Sequence, residues 1–364
     1  MVNFVELKRA YELYAHEYEE AVLRAMRSGW YIMGKELSEF ERQFASYVGA
    51  KYCIGVNSGL DALILAVRAL DIKAGDEVIV PSNTYIASVL GITENGATPV
   101  FVEPDEYFCI DAGKIEAAIT EKTKAILAVH LYGQACDMTK ICIIAHKYGL
   151  KIIEDCAQSH GAAHCGKMTG IFGNIGCFSF YPTKPLGALG DSGALVTDDE
   201  EIARKLYAMR NYGSAKKYIN NIVGVNSRLD ELQAAVLQIS LKHIDEGIDY
   251  RDRIAQRYLS EIKNTNVILP KRDPNSRHVF HVFALLSNKR DELQKHLLNC
   301  GISTLIHYPI PPHMQKCYTY LGYHQGDLPI SEKYALQELS LPIYNGMPDE
   351  EVSLVIDAIN SFKG

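Results

Sequence analysis

Short apolar runs alternate with segments of helical spacing through the first two-thirds of the chain. The pattern predicts strands over residues 52–56, 77–81, 99–102, 125–129, 151–154, 176–180 and 194–197. Several of these runs are rich in Val and Ile, as strands buried on both faces require. Most are separated by helical patterns, so the arrangement reads as βαβ units around a mostly parallel sheet. Turn residues punctuate it at Gly75-Asp76 and Glu94-Asn95-Gly96. Leu229, Leu232, Val236 and Ile239 then recur at helical intervals and predict a long amphipathic helix. From about Asp245 the pattern changes. A helix over 250–262, a strand over 279–286, a helix over 290–300, a short extended piece at 341–343 and a last helix over 349–362 are expected. The organisation predicted is a large α/β domain over residues 1–244 and a small α+β domain over 245–364.

Composition supports two domains and narrows the function. The chain has 364 residues, 48% hydrophobic and 22% charged, which is globular composition with material for a core. A net charge of −7 argues against a nucleic-acid partner. An anionic ligand must therefore be held by local groups, not by the overall field. The nine cysteines include no C-x-x-C pair and no cluster with zinc-ligand spacing, so no metal and a reduced, cytoplasmic setting are expected. The N-terminus turns charged too early for a signal peptide, and no apolar run is long enough for a bilayer, so no membrane association is expected.

Four features carry the candidate chemistry. Lys184 follows the aromatic run Phe178-Ser179-Phe180-Tyr181-Pro182-Thr183 and precedes a glycine-rich loop. Desolvation there disfavours the ammonium form, and a neutral amine can attack a carbonyl. Upstream, Val56-Asn57-Ser58-Gly59-Leu60 passes from a strand into a helix start. Free N–H groups at such a start suit a phosphate, and Gly59 allows close approach; an ordinary cap by Ser58 is the competing reading. Ile152-Ile153-Glu154-Asp155 puts two acids at a strand end, where open α/β sheets bind ligands. Asp155 is the expected partner of a protonated pyridine nitrogen, with Glu154 pointing elsewhere; a helix cap is the alternative. Tyr85, just past another strand, can stack on a flat ring or belong to the core. In this order the four suit pyridoxal 5'-phosphate (PLP).

On these residues the chain resembles the DegT/DnrJ/EryC1/StrS sugar aminotransferases, over nearly its whole length. The resemblance includes Phe40-Glu41-Arg42-Gln43-Phe44-Ala45, the Asn57-Ser58-Gly59 loop, Glu154-Asp155-Cys156-Ala157-Gln158, Phe178-Ser179-Phe180 with Lys184, and Asn226-Ser227-Arg228-Leu229. It implies an α/β, PLP-dependent transferase fold of type I, with a mostly parallel central sheet and a smaller C-terminal α+β domain. Lys184 then matches the lysine that joins the cofactor, Asp155 the pyridinium partner, and Gln158 the residue near the ring hydroxyl. Tyr85 is similar to the stacking aromatic, and Ser58, Gly59, Leu60 and Ser179 to phosphate contacts. Asn226 resembles an asparagine that reaches the phosphate of the neighbouring subunit, which implies a homodimer with shared active sites. The subgroup most resembled acts on dTDP-3-keto-6-deoxyhexoses, with glutamate as the implied donor and pyridoxamine 5'-phosphate as the alternate cofactor form. In that subgroup residues matching Tyr181, His307 and Tyr308 line the sugar and nucleotide pocket. Arg228 is a candidate diphosphate contact, with a structural ion pair as the other reading. The resemblance also implies a product destined for O-antigen or S-layer polysaccharides.

Two positions depart from the family pattern. Leu60 stands where a threonine is common, and Pro185 where an asparagine is. Other functions are also open to the sequence: a 4-keto-sugar aminotransferase, a PLP-dependent sugar dehydratase, a non-catalytic regulatory relative and an NAD-dependent enzyme. A dehydratase would carry histidine in place of Lys184, and a dinucleotide site would want G-x-G-x-x-G after the first strand.

Overall fold

The computed structural model describes all residues from Met1 to Gly364. The predicted strands form a 7-stranded sheet. They are β1 (Tyr52–Val56), β2 (Glu77–Pro81), β3 (Thr98–Val102), β4 (Thr123–Val129), β5 (Lys151–Asp155), β6 (Ile175–Ser179) and β7 (Gly193–Thr197), in spatial order β1-β7-β6-β5-β4-β2-β3. The pairs β2–β3, β2–β4, β4–β5 and β5–β6 are parallel. Only β7 reverses, lying antiparallel to both β1 and β6. The cause is the connection: parallel neighbours need a crossover long enough for a helix, and the segment from Phe180 to Ser192 returns directly without one. Lys184 sits in that return.

Alternation along the strands builds two apolar layers. Val78, Val80, Ala125, Leu127 and Ile153 face one layer, and Ile79, Ile126, Ala128 and Ile152 the other. Each fully buried aliphatic side chain contributes about 1.5–3 kcal/mol. A slip of one residue would exchange the layers, so the register is strongly specified. By the same alternation Asp155 and Glu154 leave β5 on opposite faces.

The second core is centred on the strand pair Phe283–Leu286 and Glu338–Leu341. Helices Ile244–Glu261, Arg290–Asn299 and Asp349–Ser361 pack around it, burying Tyr258, Leu293, Leu297, Val355 and Ile359. The expected strand over 279–286 forms only from Phe283. Before it, the Val279 N–H donates to the Gly133 carbonyl (3.0 Å) and the Val282 N–H to the Tyr132 carbonyl (3.3 Å), so this stretch is spent tying the two cores together. The expected piece at 341–343 forms earlier, ending at Leu341 because Pro342 has no N–H to extend a ladder. Chain segments cross between the cores in both directions. Val2 packs in the second core and pairs with Ile302, while Tyr318 and Leu328 pack in the first.

Candidate active site

A cleft of about 560 Å³ opens beyond the carboxyl ends of the parallel strands. Its floor is the end of β5. Asp155 is buried, with Oδ2 accepting from the Ser88 hydroxyl (2.7 Å) and Oδ1 from the Ala157 N–H (3.1 Å). Thr84 in turn bonds Ser88 at 2.7 Å. No cation forms an ion pair with this carboxylate. Burial therefore raises its pKa, against the lowering effects of Ser88, the Ala157 N–H and Lys184. Such an acid is incomplete without a positive partner. Glu154, on the far face, is complete: it accepts from the N–H groups of Gly170 (2.8 Å), Phe172 (2.7 Å) and Gly173 (2.8 Å) and pairs with His130 at 3.1 Å.

Lys184 reaches the cleft from the return between β6 and β7. Its own N–H is bonded to the Tyr181 carbonyl (2.8 Å), a turn that aims the side chain inward. Desolvation lowers its pKa to about 8, with Asp155 opposing. The rim near β1 is the start of helix Gly59–Ala69, capped by Ser58 through the Asp61 N–H (3.1 Å). A Cβ on Gly59 would stand 2.5 Å from the Cβ of Ser179. The bare backbone is thus what lets the helix start and the end of β6 share one rim. Ser58 both caps the helix and borders the cleft, so the two sequence readings coexist. Leu60 borders the cleft as well and brings no hydroxyl.

The remaining wall comes from aromatic and polar side chains. Tyr85 is exposed, and its ring centre lies 5.1 Å from that of Tyr308. Gln158 donates to the Tyr308 hydroxyl (3.2 Å) and accepts from the Tyr132 N–H (2.6 Å). Tyr132 takes a left-handed backbone (φ 60°), costly for a side chain of its size but one that turns both its N–H and its phenol to use. Its hydroxyl donates to the His307 carbonyl. His307 is neutral, pushed down to about 4 by burial and by Lys184. Tyr181 is half exposed at the mouth.

One chain therefore brings together Ser58, Gly59, Leu60, Tyr85, Asp155, Gln158, Ser179, Tyr181, Lys184, His307 and Tyr308. It does not bring in Asn226 or Arg228. Asn226 is exposed, though its neighbour Ser227 accepts from the Asn57 N–H (3.0 Å) and donates to Asp61 (2.7 Å) beside the helix start. Arg228 donates to Asn211 (3.1 Å) and lies over the Tyr212 ring. The sequence reading missed Ser88, Tyr132, Asp191 and His281, all in or around this cleft. Ser88 had a usable signal, since it lies three residues after Tyr85 on the same helix turn; the others had none. The residues fit PLP. Asp155 lacks a cation that a pyridinium would supply, the helix start offers free N–H groups, Tyr85 presents a ring face, and the Lys184 amine is desolvated.

Comparisons with known proteins relate the chain as a whole to one family. The model of the DegT/DnrJ/EryC1/StrS aminotransferase family matches residues 13–360. The chain is 54% identical over 363 residues to a dTDP-3-amino-3,6-dideoxy-alpha-D-galactopyranose transaminase of Aneurinibacillus thermoaerophilus, covering 100% of this chain and 99% of that one. It is 47% identical to a dTDP-3-amino-3,4,6-trideoxy-alpha-D-glucose transaminase of Streptomyces venezuelae, covering 99% and 96%. Among solved structures, S. venezuelae DesV in complex with a ketimine intermediate is similar at a TM-score of 0.97 and 46% identity, covering 99% of this chain and 97% of that one.

Proposed function

Because this chain belongs to the DegT/DnrJ/EryC1/StrS aminotransferase family, we propose that it moves an amino group from L-glutamate to the C-3 ketone of a dTDP-3-keto-6-deoxyhexose. It is a PLP-dependent aminotransferase. When bound, the cofactor supplies an electron sink and a carrier for the amino group. The chain's own residues do the rest. Asp155 would balance the charge of a protonated pyridine nitrogen, and the start of helix Gly59–Ala69 would hold the phosphate with backbone N–H groups. Lys184, with its lowered pKa, would hold the cofactor and, as a free amine, would serve as the base and acid that moves the proton at the donor's α-carbon. Gln158 and Tyr85 line the same cleft and would orient and stack on the ring. Tyr181, His307 and Tyr308 meet the sugar nucleotide.

The observation that carries this reading is the pairing, in one cleft, of a desolvated lysine with a buried carboxylate that has no cation of its own. The similarity to two dTDP-3-amino-sugar transaminases supports the choice of C-3. We also propose a homodimer in which Asn226 and Arg228 serve the partner's cleft. Its support is the exposure of large apolar side chains: Leu23 (43% exposed) and Leu189 (62%), which line one shallow groove, and Trp30 (63%) and Tyr31 (52%); Leu189 lies in the same return as Lys184. In this reading residues 1–244 hold the cofactor and 245–364 form the smaller unit. The product serves a surface polysaccharide, and the enzyme acts in the cytoplasm, in keeping with nine unpaired cysteines. No helix is long and apolar enough to cross a membrane.

The test is a coupled assay of purified protein, glutamate and a panel of 3-keto and 4-keto sugar nucleotides, with mass detection of the product. Turnover of the dTDP-3-keto-6-deoxyhexose is expected. Turnover of 4-keto substrates alone would overturn the choice of carbon.

A further inference from the structure

His307 is gripped on three sides. Its N–H donates to Glu338 Oε2 (2.5 Å), its carbonyl accepts from the Tyr132 hydroxyl, and its Nδ1 lies 2.7 Å from the Ser340 hydroxyl. Ser340 is also bonded to Glu338 Oε1. Glu338, Ser340 and His307 thus form a continuous relay, and the only ring nitrogen without a partner in the chain is Nε2, on the side chain that borders the cleft.

The relay has two proton orders. An ionised Glu338 can only accept, so Ser340 would give its proton to Glu338 and accept from Nδ1–H. Nε2 would then face substrate as a bare acceptor. A neutral Glu338 donates from Oε1 to Ser340, Ser340 donates to Nδ1, and Nε2 must carry the ring proton. Burial decides between them. Glu338 is 1% exposed and Ser340 fully buried. The groups facing the carboxyl are the Ser340 hydroxyl, the His307 N–H, the Tyr132 and Tyr308 phenols, and Arg290 from helix Arg290–Asn299. Arg290 makes no ion pair with it. Its Nη1 donates instead to the backbone carbonyls of Ala335 (3.2 Å) and Glu338 (3.4 Å), and its ion pair is with Asp291. A buried carboxyl with no cationic partner favours its neutral form.

We propose that Glu338 and Ser340 are positioning residues that place the proton of His307 on Nε2, making His307 a hydrogen-bond donor to the keto-sugar nucleotide. This rests on the reading that His307 meets the sugar. Burial holds the Glu338 pKa at about 8, so the arrangement prevails at neutral pH and fades as pH rises through that value.

Two variants separate the orders. In Glu338→Gln the amide carbonyl can accept from the His307 N–H while its NH₂ donates to Ser340, which reproduces the neutral-acid order permanently. With glutamate and sugar half-reactions measured separately, Glu338→Gln is expected to keep the sugar half-reaction and lose its alkaline decline. Ser340→Ala is expected to lower kcat/KM for the dTDP-3-keto-6-deoxyhexose about tenfold, the scale of one ordered hydrogen bond, with the glutamate half-reaction unchanged. A Glu338→Gln loss as large as that of Ser340→Ala, or no effect of Ser340→Ala, would overturn the proposal. A direct readout needs neither variant. ¹⁵N spectra of histidine-labelled protein, assigned with His307→Asn, should show Nε2 protonated and Nδ1 bare at pH 7; the reverse would overturn it. That readout stands even if the wild type turns over no sugar nucleotide, an outcome that would sink the functional reading alone.

Discussion

The Lys184 amine is pulled in two directions. Removal from water favours the neutral form, while the Asp155 carboxylate favours the ammonium, and desolvation prevails to leave its pKa at about 8. In cofactor-free protein the free amine fraction therefore grows as pH rises through about 8 and levels above it. Covalent capture of added PLP, trapped with borohydride and mapped to its peptide, should accelerate over the same window and vanish in Lys184→Ala. A flat profile, or label on another peptide, would refute the assignment. At this scale the sequence was legible where chemistry is unusual for its context: a lysine after aromatics, two acids ending an apolar strand. It was silent on Glu338 and Ser340. Nothing in Gln337-Glu338-Leu339-Ser340-Leu341 separates them from an ordinary alternating strand until the fold sets them beneath His307.

Strands and helices place these groups by simple means. The β1-to-helix turn is pressed against β7, where a Cβ on Gly193 would stand 2.4 Å from the Ser58 backbone. Gly193→Ala should therefore destabilise the protein by about 1–3 kcal/mol, as overpacking does. It should also weaken PLP binding by displacing the helix start. Thermal melts and cofactor titration check both, and an unchanged affinity would mean that the helix start does not hold the phosphate. The strands of the sheet were legible because aliphatic runs buried on both faces differ so plainly from their flanks. The direction of β7 was not, since it depends on the length and course of one connection. The stretch from Val279 to Val282 has a strand's composition, yet its N–H groups answer to Tyr132 and Gly133 instead of to a sheet neighbour.

The whole molecule leaves Asn226 and Arg228 outside the cleft that one chain builds, and leaves Leu23, Trp30, Tyr31 and Leu189 exposed. If each serves the partner, two crippled variants should rescue one another. Mixing Lys184→Ala with Asn226→Ala and allowing subunits to exchange should restore activity, because each mixed dimer then carries both defects in one site and none in the other. If Asn226 acts within its own chain, every site in the mixture keeps a defect and no recovery follows. This interdependence of distant parts begins inside each chain. Val2 fills a socket among Ile302, Leu297 and their neighbours, three hundred positions downstream. A charged replacement such as Val2→Asp would thus injure a core whose other buried members all lie between Ile254 and Phe362, a lesion felt far along the chain from where it is made.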